Sequence, residues 1–490
     1  MIRSFARRLL AIAGSLLLGV ALIAAGGYWH FLHSGPQPAP WLTAELDDFP
    51  ADQSVAVRNL DDYLRLEERL FDQLRERVYE PAGTADRSAV NRYRAGSLSD
   101  PAAWPVNWNR TFRLQPAADA APRGAVLLLH GLTDSPYSLR SIGEHLAARG
   151  FEVVGLRLPG HGTAPSGLLS FRVEDMRAAV RLAVLDLHTR LAPGQPLHVV
   201  GYSNGAALAV DYALAVLEGD PLPRPAGLVL LSPAIAVSPL AMVGQFKTGL
   251  SSVPGFGRAA WEVITTEFDP YKYNSFSFHA AGETYRLTRE LTRRVERLAR
   301  QGPLQDFPPV LAFISTVDAT VKAEAVADAL LEHLAPDSHE LVLFDVNRLA
   351  AVQALLVHDP GPLTRRLQSL PQRPYALSIV TNASDDSRAV VELRAPAGSS
   401  QVARRELGLE WPRTVFSLSH VALPFPPDDP LYGYQAEPAT GHVQLGSIEV
   451  RGENGVLTVP TWALTRQRSN PFHAYLLERI DGFLADADGR

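Results

Sequence analysis

The stretch "LHVVGYSNGAAL", Leu197 to Leu208, joins a β-branched apolar run to a run of alanines, with Gly201-Tyr202-Ser203-Asn204-Gly205 at the junction. A strand that turns sharply into a helix needs small neighbours on both sides of the apex, and a serine at that apex is held strained and exposed, as a nucleophile must be. The pattern is short enough to arise by chance in a chain with 36 glycines, so its surroundings decide its meaning.

Those surroundings alternate. AVLLLH (125–130), EVVGLR (152–157), LHVVGY (197–202), GLVLLS (227–232), PVLAFIS (309–315) and ELVLFD (340–345) are short apolar runs separated by helical segments. Such alternation predicts an α/β fold: a mostly parallel sheet flanked by helices on both faces. Ser203 then falls at the carboxyl end of a central strand, where ligands bind in open α/β sheets. The following AALAVDYALAVLEG is rich in helix formers and stops at Gly219.

Bulk properties narrow the function. The formal net charge of −6 comes from interspersed residues and leaves no electrostatic footprint for nucleic acid. The absence of cysteine excludes a disulfide framework, a thiolate nucleophile and a Cys-ligated metal. No P-loop, dinucleotide fingerprint or H-E-x-x-H spacing occurs, so no cofactor and no metal is expected.

The N-terminus reads as a membrane anchor. Arg3, Arg7 and Arg8 precede the uncharged stretch Leu9 to Trp29, whose length as a helix, ~30 Å, matches a bilayer's hydrocarbon core. Basic residues before it and Glu45, Asp47 and Asp48 after it put residues 1–8 in the cytoplasm and the rest outside, in a bacterium the periplasm. A cleaved signal peptide, with Ala24 and Gly26 before the cut, is the alternative, and both readings export the body of the protein. Residues 33–40, "HSGPQPAP", read as an extended linker, and Val57 to Val78 carries a helical apolar period.

"LLLHGLTDSPYSLRSIGEHLAARGFEVVGLRLPGHGTAPSG", followed by "VVGYSNGAA", resembles the α/β-hydrolases of the carboxylesterase and monoglyceride-lipase type, most specifically over residues 120 to 235. The resemblance implies a serine hydrolase with a Ser-His-Asp triad. It implies an oxyanion hole from the backbone N–H groups of Leu132, after His130-Gly131, and of Asn204, after the nucleophile. The acid follows the nucleophile in chain order. Asp318, at the end of PVLAFISTVD, is similar to that family's acid, with Asp345 as rival. The base departs from the family's spacing, because Val346-Asn347-Arg348 stands where a histidine is expected. The expected base is His420, in "TVFSLSHVALPFPPDDP", which follows a strand-like run and whose Ser-x-His-Val context resembles that family's histidine loop, with His358, in "LLVHDPG", as rival. His161 precedes the nucleophile and reads as structural; His30, His33, His333 and His339 read as solvated or interfacial.

The plan that follows is a cytoplasmic 1–8, an anchor at 9–29, and a linker with a helical extension at 30–122. Hydrolase core occupies 123–235 and 306–346, interrupted by a cap insertion at 236–305 with aromatics including Trp261, Phe268, Tyr271, Tyr273 and Phe276. An insertion with added strands fills 347–415, and 416–490 holds the histidine loop and a closing helix. The expected function is a membrane-anchored, exported serine esterase or lipase acting on a small-molecule or lipid ester. Thioesterase, amidase or peptidase, acyltransferase and a catalytically silent tethered scaffold are the alternatives.

Overall fold

The computed structural model describes residues 14–23, 25–27, 39–53, 57–85, 88–118, 121–236, 257–336, 338–357, 359–437, 441–447 and 464–488. Ten strands form one sheet: β1 (Phe112–Leu114), β2 (Gly124–Leu129), β3 (Phe151–Leu156), β4 (Leu197–Tyr202), β5 (Gly227–Leu231), β8 (Val310–Ser315), β9 (Glu340–Phe344), β10 (Ala376–Asn382), β11 (Ala389–Ala395) and β12 (Ala403–Glu410). The short pair β6 (Trp261–Val263) and β7 (Phe276–Ser277) stands apart. The order in the large sheet is β1-β3-β2-β4-β5-β8-β9-β10-β11-β12. Strands β3 through β10 of that order run parallel, and β1, β11 and β12 close the edges antiparallel. The six expected strands begin and end within one residue of the observed ones.

Continuous apolar strands arise because both faces are covered. On β2, Leu127 and Leu129 point to one core, and Val126 and Leu128 to the other. The first core is closed by helices α3 (Val173–Arg190), α4 (Asn204–Leu217) and α5 (Phe278–Leu298), through residues such as Val180, Leu208 and Leu291. The second is closed by α2 (Arg140–Ala148) and α7 (His473–Asp488), through Ile142, Leu146, Leu476 and Ile480. Within the segment expected as a cap, residues 278–298 form the core-packed α5, and residues 237–256 lie outside the described residues.

The 347–415 insertion adds α6 (Gly361–Ser369) and then prolongs the sheet, β10 pairing parallel with β9. Its two ends meet. The Asn347 N–H donates to Phe416 O at 2.8 Å, and its Nδ2 donates to Val415 O at 3.1 Å. The chain thus returns to the carboxyl end of β9 before it enters the histidine loop.

The N-terminal extension is part of the same body. Helix α1 (Leu60–Leu74), capped by the Asn59 side chain, falls within the expected 57–78 and buries Leu60, Tyr63, Leu70 and Leu74. Arg157, fully buried just beyond β3, joins Asp48 at 2.8 Å and Glu67 at 3.0 Å. Trp41 stacks on Tyr93 with ring centroids 5.5 Å apart. Among the described residues no helix is long and apolar enough to cross a membrane. Residues 9–13, 24, 28 and 29 of the expected span lie outside them.

One histidine differs from its expected place. His339 is buried: its Nδ1 accepts the Val310 N–H at 3.1 Å, and its Nε2–H faces Ala335 O at 3.2 Å. The strand pairing of β8 and β9 brings this side chain inward, which its polar sequence neighbours Ser338 and Glu340 do not signal.

Candidate active site

Ser203 sits between β4 and α4 with φ 54° and ψ −113°, a conformation that costs a non-glycine residue ~1–3 kcal/mol. The flanking glycines make it possible. A Cβ on Gly205 would lie 2.0 Å from Leu129 O, and one on Gly201 would lie 2.5 Å from the Cα of Ala206. The Ser203 N–H is anchored on Leu231 O at 2.9 Å, so the neighbouring strand fixes the apex.

His420 begins a short 3-10 turn in the loop that follows the insertion. Its Nε2 lies 2.9 Å from Ser203 Oγ, and its Nδ1 lies 2.7 Å from Asp318 Oδ2. Asp318 follows β8, and its Oδ1 accepts the N–H groups of Thr320 (2.8 Å) and Val321 (3.0 Å). Burial pushes this carboxyl up, but the facing His420 and the hydrogen bonds outweigh it and leave Asp318 below the usual carboxylate range. A carboxylate held ionised against Nδ1 fixes Nδ1 as the protonated nitrogen and leaves Nε2 free to accept the serine proton.

The rivals are placed differently. The Asp345 carboxylate is held by Arg348 at 2.8 Å and Thr381 at 3.0 Å. His358 lies outside the described residues. His161 is fully buried, donates from Nδ1 to Pro159 O at 2.9 Å, and is pushed down to about 4 by burial.

The loop after β2 faces Ser203. His130 Nδ1–H donates to Gly131 O at 2.9 Å, and its Nε2 accepts the Leu158 N–H at 3.0 Å. Burial and the neighbouring His161 hold His130 well below its ordinary value, so it stays neutral in this bridging role. Because C=O and N–H point in opposite directions in a trans peptide, fixing Gly131 O toward His130 turns the Leu132 N–H away from it. The Asn204 N–H is the first of α4 and has no partner within the helix.

A cavity of about 420 Å³ opens on Ser203 and His420. Leu132, Val263, Phe268, Phe276, Val321 and Val421 supply apolar wall, and Asp134, Lys272, Arg466 and Arg468 supply charge. Of the expected cap aromatics, Phe268, Tyr273 and Phe276 reach this cavity, whereas Tyr271 stacks on Tyr137 with centroids 4.2 Å apart. Lys272 Nζ meets Asp134 at 2.9 Å, and the Tyr273 N–H donates to Thr133 O at 2.8 Å, which clamps the 131–134 loop against the 265–276 segment. Sequence reading passed over these charged residues. Lys272 carried one signal, since lysine occurs only at 247, 272 and 322. Among the described residues no group of three or more His, Asp or Glu side chains is arranged to hold a metal ion.

Residues 120–347 match the family model described as Serine aminopeptidase, S33. A thermostable monoacylglycerol lipase from Bacillus sp. (strain H-257) is 32% identical over 124 residues, 25% of this chain and 46% of that relative. The chain thus spans somewhat under half the length of that relative. A soluble variant of monoglyceride lipase from Saccharomyces cerevisiae is similar with a TM-score of 0.39 and 17% identity, over 48% of this chain and 82% of its own. The monoacylglycerol lipase of Paleococcus ferrophilus gives a TM-score of 0.36 and 20% identity, over 48% of this chain and 88% of its own.

Proposed function

From the premise that this chain belongs to the α/β-hydrolase superfamily, we propose that it is a serine hydrolase of carboxylic esters, working through Ser203, His420 and Asp318. The observation that carries this reading is the position of His420, within hydrogen-bond reach of both Ser203 Oγ and Asp318 at the wall of a partly apolar cavity. Ser203 Oγ attacks the ester carbonyl while His420 Nε2 takes its proton, and Asp318 holds the imidazole and balances the imidazolium. The backbone N–H groups of Leu132 and Asn204 receive the oxyanion, an interaction whose loss costs ~10²- to 10³-fold per donor. His420 then protonates the leaving alcohol, and water activated by the same Nε2 releases the acid from the acyl-enzyme. Val263, Phe268 and Phe276 suit an apolar acyl group.

A peptidase reading is favoured by the description of the matched family model. An aminopeptidase binds a protonated amine, however, and in the cavity lining Lys272 is paired with Asp134 and Arg468 with Asp269, which leaves the charge of Arg466 unmatched among the described residues. That charge disfavours a cationic substrate. The export of the domain on an anchor at 9–29 is part of the proposal and rests on the charge asymmetry about that apolar stretch.

The test is turnover of p-nitrophenyl esters from acetate to long acyl chains, beside an aminoacyl p-nitroanilide, by the full chain in detergent and by Ser203→Ala. Ester turnover that the variant loses supports the proposal. Turnover of the anilide alone replaces it with the peptidase reading, and no turnover of either favours a silent scaffold.

A further inference from the structure

Resting on the serine-hydrolase reading and deepening it, we infer that Arg466 receives an anionic group, a carboxylate or a phosphate, carried by the ester substrate. Of the three cations lining the cavity, two are matched by carboxylates: Lys272 by Asp134 at 2.9 Å and Arg468 by Asp269 at 3.5 Å. Arg466 forms no ion pair among the described residues. Its contact is a hydrogen bond from Nη2 to Thr320 Oγ1 at 3.4 Å. Thr320 in turn donates its backbone N–H to Asp318 at 2.8 Å, which sets the guanidinium beside the acid loop, on the cavity that Ser203 and His420 also line.

The chain as a whole carries a net charge of −6, yet in this lining Arg466 is a cation with no carboxylate partner among the described residues. A partly sheltered guanidinium in a cavity with apolar walls loses water contacts that a neutral lipid does not return. A carboxylate or phosphate returns them with paired, charge-assisted hydrogen bonds, for which the planar fork of Arg is shaped. The substrate class is therefore an ester with an apolar acyl part and one acidic group near the scissile bond. The acid can sit on the acyl side, as in a dicarboxylic half-ester, or on the alcohol side, as in a phosphorylated monoacylglycerol.

Two matched pairs separate these sources: p-nitrophenyl butyrate against the mono-p-nitrophenyl ester of glutaric acid, and monooctanoylglycerol against its phosphate monoester. Wild type, Arg466→Gln and Arg466→Lys are compared as full chains in detergent. The anionic-to-neutral ratio of kcat/KM in one pair is expected to fall roughly 10- to 100-fold in Arg466→Gln, mainly through KM, with part of it kept by Arg466→Lys. The responding pair identifies the side that bears the acid. A ratio that moves less than about twofold in both pairs overturns the inference, since a general electrostatic effect on the oxyanion would change both members alike. If neutral esters are turned over in a Ser203-dependent way while the ratio stays fixed, the Arg466 assignment alone falls. If no ester is turned over, or Ser203→Ala retains the turnover, the hydrolase reading falls and takes this inference with it.

Discussion

His420 Nε2 lies 2.9 Å from Ser203 Oγ although the two residues are 217 positions apart in the chain. If this contact transfers the proton, His420→Ala and Ser203→Ala each lower kcat/KM on a neutral ester by ~10³-fold or more, with circular dichroism and melting close to wild type. Asp318→Asn, which keeps the shape but favours the wrong imidazole tautomer, lowers kcat by ~10⁴-fold. Turnover within about tenfold of wild type in His420→Ala would remove it as the base.

The elbow makes a second prediction, independent of chemistry. In Gly205→Ala the new methyl meets backbone oxygens of Leu129 and His130 at 2.0 and 2.5 Å, neither of which can move like a flexible side chain. Destabilisation of about 3 kcal/mol or more is expected by urea unfolding. Gly398→Ala is the comparison: its φ is 65° and nothing lies within 4 Å, so it costs only the left-handed conformation, ~1–2 kcal/mol. Equal effects from the two would show that the contact at Gly205 relaxes.

Much of this architecture can be read from local pattern, and the rest follows from contacts between distant segments. Ser203 and the six inner strands declare themselves because short continuous apolar runs and a Gly-x-Ser-x-Gly turn are local signals. The return of the chain toward His420 goes with two hydrogen bonds from Asn347, to Val415 O, 68 positions on, and to Phe416 O, which no sequence period encodes. The charged lining is equally nonlocal. Arg466 and Arg468 lie in "TRQRSN", which reads as an ordinary polar loop, and the folded chain sets them against the 265–276 segment and the Asp318 loop. His339 shows the same limit from the other side, a polar residue turned inward by strand register.

Stability depends on pH through groups of opposite sign. Burial holds His161 and His473 down to about 4, below their unfolded value, so their contribution is complete above pH ~6.5 and is lost as pH falls toward 4. Asp318, also lowered, adds to that acid-side loss. Glu267 is raised to about 7 by burial, against the N–H groups of Asn274 and Ser275 that it accepts at 2.9 and 2.8 Å. Its contribution is present below its unfolded value and is lost as pH rises through 7. The Tm advantage of wild type over Glu267→Gln is therefore expected to shrink between pH 5 and pH 8. Parallel Tm curves for the two would contradict the assignment.

A buried ionic cluster centred on Arg157 is part of what attaches the N-terminal extension. Arg157 is fully buried, with Nη1 and Nη2 on Asp48 (3.0 and 2.8 Å), Nε on Glu67 (3.0 Å) and Nη1 also on His161 O (3.0 Å). The Tyr63 hydroxyl from α1 donates to Arg157 O at 2.7 Å, so α1, the 48–50 segment and the loop after β3 meet at this residue. Removing one partner of a buried ionic cluster leaves the others desolvated and uncompensated, which costs ~3–5 kcal/mol. Arg157→Met keeps much of the apolar stem and loses the charge, so it is expected to destabilise by that amount. Asp48→Asn combined with Glu67→Gln in the Arg157→Met background removes the stranded charges and is expected to recover part of the loss. Protease cutting between residues 44 and 60 should rise in the single variant and fall again in the combination. If Arg157→Met melts within about 0.5 kcal/mol of wild type, the extension is held by its apolar contacts, Trp41 on Tyr93 and the buried face of α1, and the ionic cluster adds no net stability.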